Sequence, residues 1–171
     1  YEPFIRMAAG FGEASIKHDK ERYEHKYEYC DLLVTGSGPS GLASAYAAAK
    51  NGARVILAED KPRYGGSLLT SDVNIGNQTG VEWSEKIIAE LKSMSNVTVK
   101  NRSQVIGYYD HNMLVMSERI SDHLPKTQKY LPKQRLWYIR ANEVLISSGS
   151  IERPLVFGNN DTPGVMLSSA A

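Results

Sequence analysis

Cysteine is almost missing from this chain: Cys30 is the single thiol in 171 residues. One thiol excludes a disulfide framework, a cysteine-rich zinc site and a redox Cys-x-x-Cys pair within the chain. Long apolar runs are missing as well. None reaches the roughly 18 residues that a membrane span needs, so no membrane is expected as a partner. An excess of one charge is also lacking, since 20 basic side chains meet 19 acidic ones for a net charge of +1. That balance gives no reason to expect nucleic acid as a partner either. The charges between Lys17 and Lys26 are of mixed sign and read as a solvated segment. The chain opens on Tyr1 with neither an initiator Met nor a basic-then-apolar leader, and is expected to be a piece of a longer protein. A cytoplasmic location fits one unpaired thiol.

What is present suffices for one core, and the apolar pattern orders it. Residues 1–28 read as a lead-in, with a short helix around Phe4–Gly12 and then a polar stretch rich in Lys, Glu and Tyr. Tyr29–Thr35 reads as a buried strand that stops at glycine, Gly41–Asn51 as an alanine-rich helix ended by Gly52, and Arg54–Ala58 as a second strand. Residues 61–79, with Pro62, Gly65, Gly66 and Gly76, read as loop. Trp83, Ile87, Ile88 and Leu91 recur at helical spacing within Val81–Met94. Val97–Lys100 is a short strand. Gln104–Tyr109, Met113–Glu118 and Arg135–Arg140 form a meander (about 104–141), with a polar loop at 121–133, and Glu143–Ser147 is one more strand. This order predicts an α/β, Rossmann-like FAD/NAD(P)-binding domain over 29–150: a parallel sheet with a βαβ glycine-loop unit and an antiparallel β-meander insertion, truncated before its closing strands. Residues 151–171, with Pro154, Pro163 and Gly164, read as an extended connection.

The chemistry is concentrated in Gly36-Ser37-Gly38-Pro39-Ser40-Gly41. A Gly-x-Gly-x-x-Gly string alone is weak, but here it follows a strand, opens a helix and is followed by a second strand. Gly36 allows the tight turn, Gly38 lets backbone approach a pyrophosphate, and Gly41 lets the helix pack on the strand. The helix N-terminus then offers N–H groups and a positive dipole end to phosphates. Glu59, 18 residues beyond Gly41 at the end of the second strand, can accept both hydroxyls of an adenosine ribose. Asp60 beside it adds to the repulsion of a 2′-phosphate, which disfavours NADP. Gly65-Gly66 offers a second backbone approach, with Ser67 to bond a phosphate; the plainer reading is a glycine turn. Val105 could meet the adenine edge, although a β-branched strand residue more simply belongs to the core. At this level FAD and NAD stand equal.

Tyr29–Leu57 with Gly65-Gly66-Ser67 resembles the two-dinucleotide-binding flavoproteins, and Ser147-Ser148-Gly149 resembles their Ala-Thr-Gly strand end. More specific strings are Tyr1–Arg6, Val105–Asn112, Arg135-Leu136-Trp137, Glu152–Phe157 and Asn159–Leu167. These are similar to the alpha subunit of heterotetrameric sarcosine oxidase, with Thr162 where arginine is expected. The resemblance implies a complex with beta, gamma and delta subunits. Such a complex demethylates sarcosine with oxygen to give glycine, hydrogen peroxide and a one-carbon unit for tetrahydrofolate. It also implies that NAD occupies this chain's pocket, with flavins elsewhere in the complex. On that basis Ser40, Glu59, Asp60, Lys61, Ser67 and Val105 are NAD positions beside Gly36, Gly38, Pro39, Gly41, Gly66, Ser148 and Gly149. Ser40 stands for the usual alanine, and Ser148 keeps the hydroxyl of the usual threonine.

No catalytic or metal-binding residues are assigned. His18, His25, His111 and His123 lack metal-ligand spacing, Asp110-His111-Asn112 reads as a tight turn, and Cys30 as a buried small side chain. Amine oxidation at a flavin depends on groups this segment does not contain. Two alternatives stand beside the oxidase. One is a non-catalytic, nucleotide-stabilised scaffold. The other is an FAD-binding subunit of a related amine or opine dehydrogenase.

Overall fold

In a computed structural model describing residues 1–10, 16–125 and 130–170, the chain begins with a short helix, α1 (Glu2–Ala8), none of whose residues is buried. The helix ends at Ala8 rather than near the expected Gly12, because Ala9 and Gly10 form a turn; residues 11–15, the middle of the 121–133 loop and Ala171 lie outside the described residues. Next come β1 (Tyr23–Thr35), α2 (Pro39–Lys50) and β2 (Val55–Ala58), which form the expected βαβ unit. The segment expected to be plain loop contains a 3-10 turn at Gly66–Leu69 and a small hairpin of β3 (Asn74–Ile75) and β4 (Gln78–Thr79). Then follow α3 (Gly80–Ser93), β5 (Val97–Lys100), β6 (Ser103–Tyr109), β7 (Met113–Arg119) and β8 (Gln134–Ile146). Thr79 and Glu82 cap α3 reciprocally: the Thr79 hydroxyl accepts from the Glu82 N–H and the Glu82 carboxylate from the Thr79 N–H.

Six strands form one sheet in the order β5-β2-β1-β8-β7-β6. The pairs from β5 to β8 are parallel, and β8-β7 and β7-β6 are antiparallel. Parallel strands covered on both faces read as continuous apolar runs, which is why all four residues of β2 are buried. On one face Leu42, Ala45 and Ala49 of α2 and Ile87, Ile88 and Leu91 of α3 pack on Val34 and Leu57. On the other, Leu33, Ile56 and Ala58 meet Leu114, Met116, Trp137 and Ile139 of the meander. The sheet curls until its far edge returns: the Ser103 N–H donates to the Glu59 carbonyl at 2.8 Å. Where the curled sheet opens, Glu118 accepts from Trp137 Nε1 (2.6 Å) and Arg135 and pairs with Lys100. Burial pulls the Lys100 ammonium below its usual value, and Glu118 partly offsets it.

Two expectations about strands need correction. The sequence pattern places a break between Arg140 and Glu143, but β8 is a single strand paired with β1 along its length. β1 itself starts at Tyr23, six residues before the predicted Tyr29. A distortion explains the first. The N–H groups of Asp31 and Leu32 converge on the Arg54 carbonyl (2.9 and 3.1 Å), the hydrogen-bond signature of a bulge. Facing alternation slips there. Cys30 and Leu33 share one core cluster while Leu32 and Val34 share the other, and Ala141 and Val144 slip in parallel on β8. A phase slip in an alternating pattern imitates a strand end.

The Asp31 carboxylate holds this bulge. It accepts from Arg54 N (2.8 Å), Arg54 Nε (3.2 Å), Arg54 Nη2 (3.0 Å) and Asn142 Nδ2 (3.3 Å). Its hydrogen bonds with the Arg54 side chain, then with the Arg54 N–H, hold the carboxyl below its usual value. A depressed carboxyl stabilises the fold fully above the unfolded Asp value of about 3.9 and loses that contribution as pH falls from there through the folded value. Thermal melts across the acid limb are therefore expected to lose less stability between neutral and acid pH in Asp31→Asn than in the unmodified chain.

Candidate functional site

The C-terminal ends of β1, β2 and β8 converge on one cavity of about 700 Å³, within the range of cofactor pockets. Its floor is the glycine loop between β1 and α2. At Gly41 a Cβ would collide with the Gly36 carbonyl oxygen, so the missing side chain there sets how closely α2 approaches the strand. Gly36 itself has φ +98°, and its Cβ would run into the Ser147 carbonyl. Gly38 differs, because a Cβ there would meet nothing within 4 Å. That open space lies where the N-terminus of α2 points. No side chain caps this helix, its first turn holds no acidic residue, and Pro39 at the first position donates nothing. An anion with several acceptor oxygens fits this cradle.

Glu59 is the second component, and it is 6% exposed. Its Oε2 accepts from the Ser37 N–H (2.9 Å) and Ser37 hydroxyl (2.5 Å), and its Oε1 from the Lys61 N–H (3.0 Å). A carboxylate offers about four acceptor sites, so three donors leave direct room for one more. The expected pair of ribose hydroxyls would require the Ser37 hydroxyl to turn away. Ser37 is fully buried, and it also ties down the next loop: the Gly65 N–H donates to its carbonyl (3.0 Å) and approaches its hydroxyl (3.3 Å). Gly66 is thereby laid on the glycine loop, and its Cβ would meet Gly38 Cα at 2.8 Å. Asp60 pairs with the Lys61 ammonium at 3.3 Å. Burial works against the Asp60 carboxylate, but its bond to Lys61 and the charges of Lys61 and Arg119 bring the net shift below the usual value.

The cavity gathers Gly36, Gly38, Pro39, Ser40, Glu59, Asp60, Lys61, Gly66, Ser67, Val105, Ser148 and Gly149 around its wall. Gly41 does not reach it, being buried beneath the loop as a packing residue. Sequence reasoning passed over Ser37, Ser147 and Tyr108. Ser37 occupies a position of the glycine motif that the pattern leaves free. The Ser147 hydroxyl donates to the Thr35 (2.9 Å) and Gly36 (3.0 Å) carbonyls, bonding that the alanine usual at this position could not make. Asp110-His111-Asn112 forms the expected turn, with His111 and Asn112 both at positive φ. Among the described residues no group of three or more His, Cys, Asp or Glu side chains is placed to hold a metal ion.

Residues 31–130 match the profile of a family described as FAD dependent oxidoreductase. The chain belongs to this FAD-dependent oxidoreductase family. Within it, the chain is 45% identical over 170 residues to the sarcosine oxidase alpha subunit of Rhizobium meliloti (strain 1021), covering 99% of the chain and 17% of that protein. It is 28% identical over 149 residues to an opine oxidase subunit of Agrobacterium tumefaciens (strain Ach5), covering 84% of the chain and 28% of that protein. The chain thus spans about a sixth to a little over a quarter of the length of these curated relatives. In solved structures the same fold recurs in L-proline dehydrogenase from P. horikoshii, with a TM-score of 0.60 and 20% identity over 89% of this chain and 28% of that one. The fold is thus the Rossmann-like, mostly parallel architecture of FAD and NAD(P) oxidoreductases.

Cys30 lies in this family's βαβ unit at 1% exposure, and burial pushes its thiol up to about 12. The thiolate is the nucleophile, so the folded chain is expected to resist iodoacetamide at about pH 8 and react once unfolded in urea. Mass spectrometry of the alkylated protein measures this; rapid labelling under native conditions would contradict the burial of the thiol.

Proposed function

We propose that this chain holds the adenosine and pyrophosphate of a dinucleotide, NAD, within the alpha subunit of a sarcosine oxidase-like complex. The observation that carries the reading is the pairing of Glu59 with the uncapped N-terminus of α2 across one cavity. The α2 N–H groups take the pyrophosphate over Gly38, and Glu59 takes the ribose. Val105 meets the adenine edge, while Ser40, Gly66, Ser67, Ser148 and Gly149 form the rest of the wall. A 2′-phosphate would enter against two carboxylates, Glu59 and Asp60, which excludes NADP. A bound NAD supplies a ring that can accept hydride. In this chain its role is structural, because the segment carries no set of groups for amine oxidation.

The whole protein's activity is proposed from the similarity to the alpha subunit of sarcosine oxidase: demethylation of sarcosine to glycine with oxygen, giving hydrogen peroxide and a one-carbon unit for tetrahydrofolate. Its partners are then beta, gamma and delta subunits, with flavins held elsewhere in the assembly and the complex cytoplasmic. No helix among the described residues is long and apolar enough to cross a membrane. A second reading, FAD in this cavity of an opine- or amine-oxidising subunit, is favoured by the family description and the opine oxidase similarity.

One measurement separates the two. Denaturing the protein that carries this chain and mapping its released nucleotides to subunits is expected to find NAD from this one; flavin absorbance in that fraction would reverse the assignment. Losing one charge-assisted bond, worth about 1.5–3 kcal/mol, predicts that Glu59→Gln weakens NAD binding by about tenfold or more in equilibrium dialysis. Sarcosine-dependent peroxide production by the complex tests the overall activity.

A further inference from the structure

We infer that Tyr108 is the base-stacking wall of the cavity, its ring face receiving the purine of the bound dinucleotide. The inference rests on the dinucleotide reading above and adds the group that grips the base. β6 starts beside the ribose site, since the Ser103 N–H is bonded to the Glu59 carbonyl, and it runs along the cavity through Val105 to Tyr108.

Simple alternation would put Gly107 on the cavity side after Val105 and turn Tyr108 away. The register shift between Val105 and Gly107 reverses this. Val105 pairs with Met116 and Tyr108 with Leu114, and Met116 and Leu114 both belong to the inner core cluster. A bulge that re-aims one side chain is a recurrent device beside binding sites. Here the side chain it re-aims is the one aromatic among the described residues lining the cavity.

The ring is also fixed in place. Tyr108 Oη donates to Asn112 Oδ1 at 2.8 Å, and Asn112 Nδ2 donates to the Asn142 carbonyl at 2.8 Å. With its hydroxyl engaged within the meander, Tyr108 presents carbon surface rather than a donor to the cavity. It remains 53% exposed. A fixed aromatic face stacks any purine at little ordering cost, whereas the glycine loop and Glu59 contact only phosphate and sugar.

The test uses the intact protein carrying this chain, stripped of nucleotide, with ADP and the base-free probe ribose 5′-diphosphate. Tyr108→Ala is expected to lose about tenfold or more in ADP affinity and to bind ribose 5′-diphosphate as the unmodified protein does. Tyr108→Phe, which keeps the ring, is expected to hold ADP within about threefold on the same stacking argument. Unchanged ADP affinity in Tyr108→Ala, or an equal loss for both probes, overturns the stacking role. Failure of the unmodified protein to bind either probe overturns the dinucleotide reading itself.

Discussion

The buried carboxylate of Glu59 joins parts of the chain that would otherwise drift apart. It gathers the Ser37 N–H and hydroxyl from the glycine loop and the Lys61 N–H from its own turn, while its backbone carbonyl receives β6. A buried charge is costly unless it is hydrogen-bonded, so the fold depends on these donors. The carboxylate ties the glycine loop to the turn at Lys61, the Glu59 carbonyl ties in the meander, and Ser37 ties in the Gly65-Gly66 turn, so all of them meet around this residue. The cavity is the space between them.

Two local irregularities, a slip in facing alternation and a slip in register, shape what surrounds that space. The bulge at Asp31 and Leu32 lets two long strands serve both halves of the sheet, parallel beside β2 and antiparallel beside β7. Its carboxylate-guanidinium clamp sits away from the cavity, so the bend is held without using any cavity residue. The second slip, at Val105 and Gly107, acts on one side chain and turns Tyr108 inward. Each costs an irregular ladder hydrogen bond, and each places something an ideal ladder would not.

Membership of the FAD-dependent oxidoreductase family fits a segment whose described groups converge on one glycine-loop cavity. Phosphate and sugar are recognised by backbone N–H groups, a helix terminus and one carboxylate, all of which a βαβ unit supplies locally.

The glycine spacing, the strand-helix-strand order and Glu59 at the end of β2 were legible in the amino-acid pattern because each depends on contacts close along the chain. The same holds for α3, whose apolar stripe and cap are local. The pattern could not show that Tyr23–Tyr29 is strand, since its exposed face is polar and aromatic and only pairing with β8 makes it extended. Nor could it show that β8 runs unbroken through Ala141, because a bulge shifts the very period from which strands are read. Gly41 had its packing role assigned correctly, but only the fold shows that it lies beneath the cavity rather than on it. Ser37, Ser147 and Tyr108 gained their places from partners 22, 112 and 4 residues away, respectively. Local sequence determined which groups could hold a dinucleotide. Long-range pairing and local strand irregularities decided which of them face the cavity, because side-chain direction in a sheet is set by the neighbouring strand as well as by the residue itself.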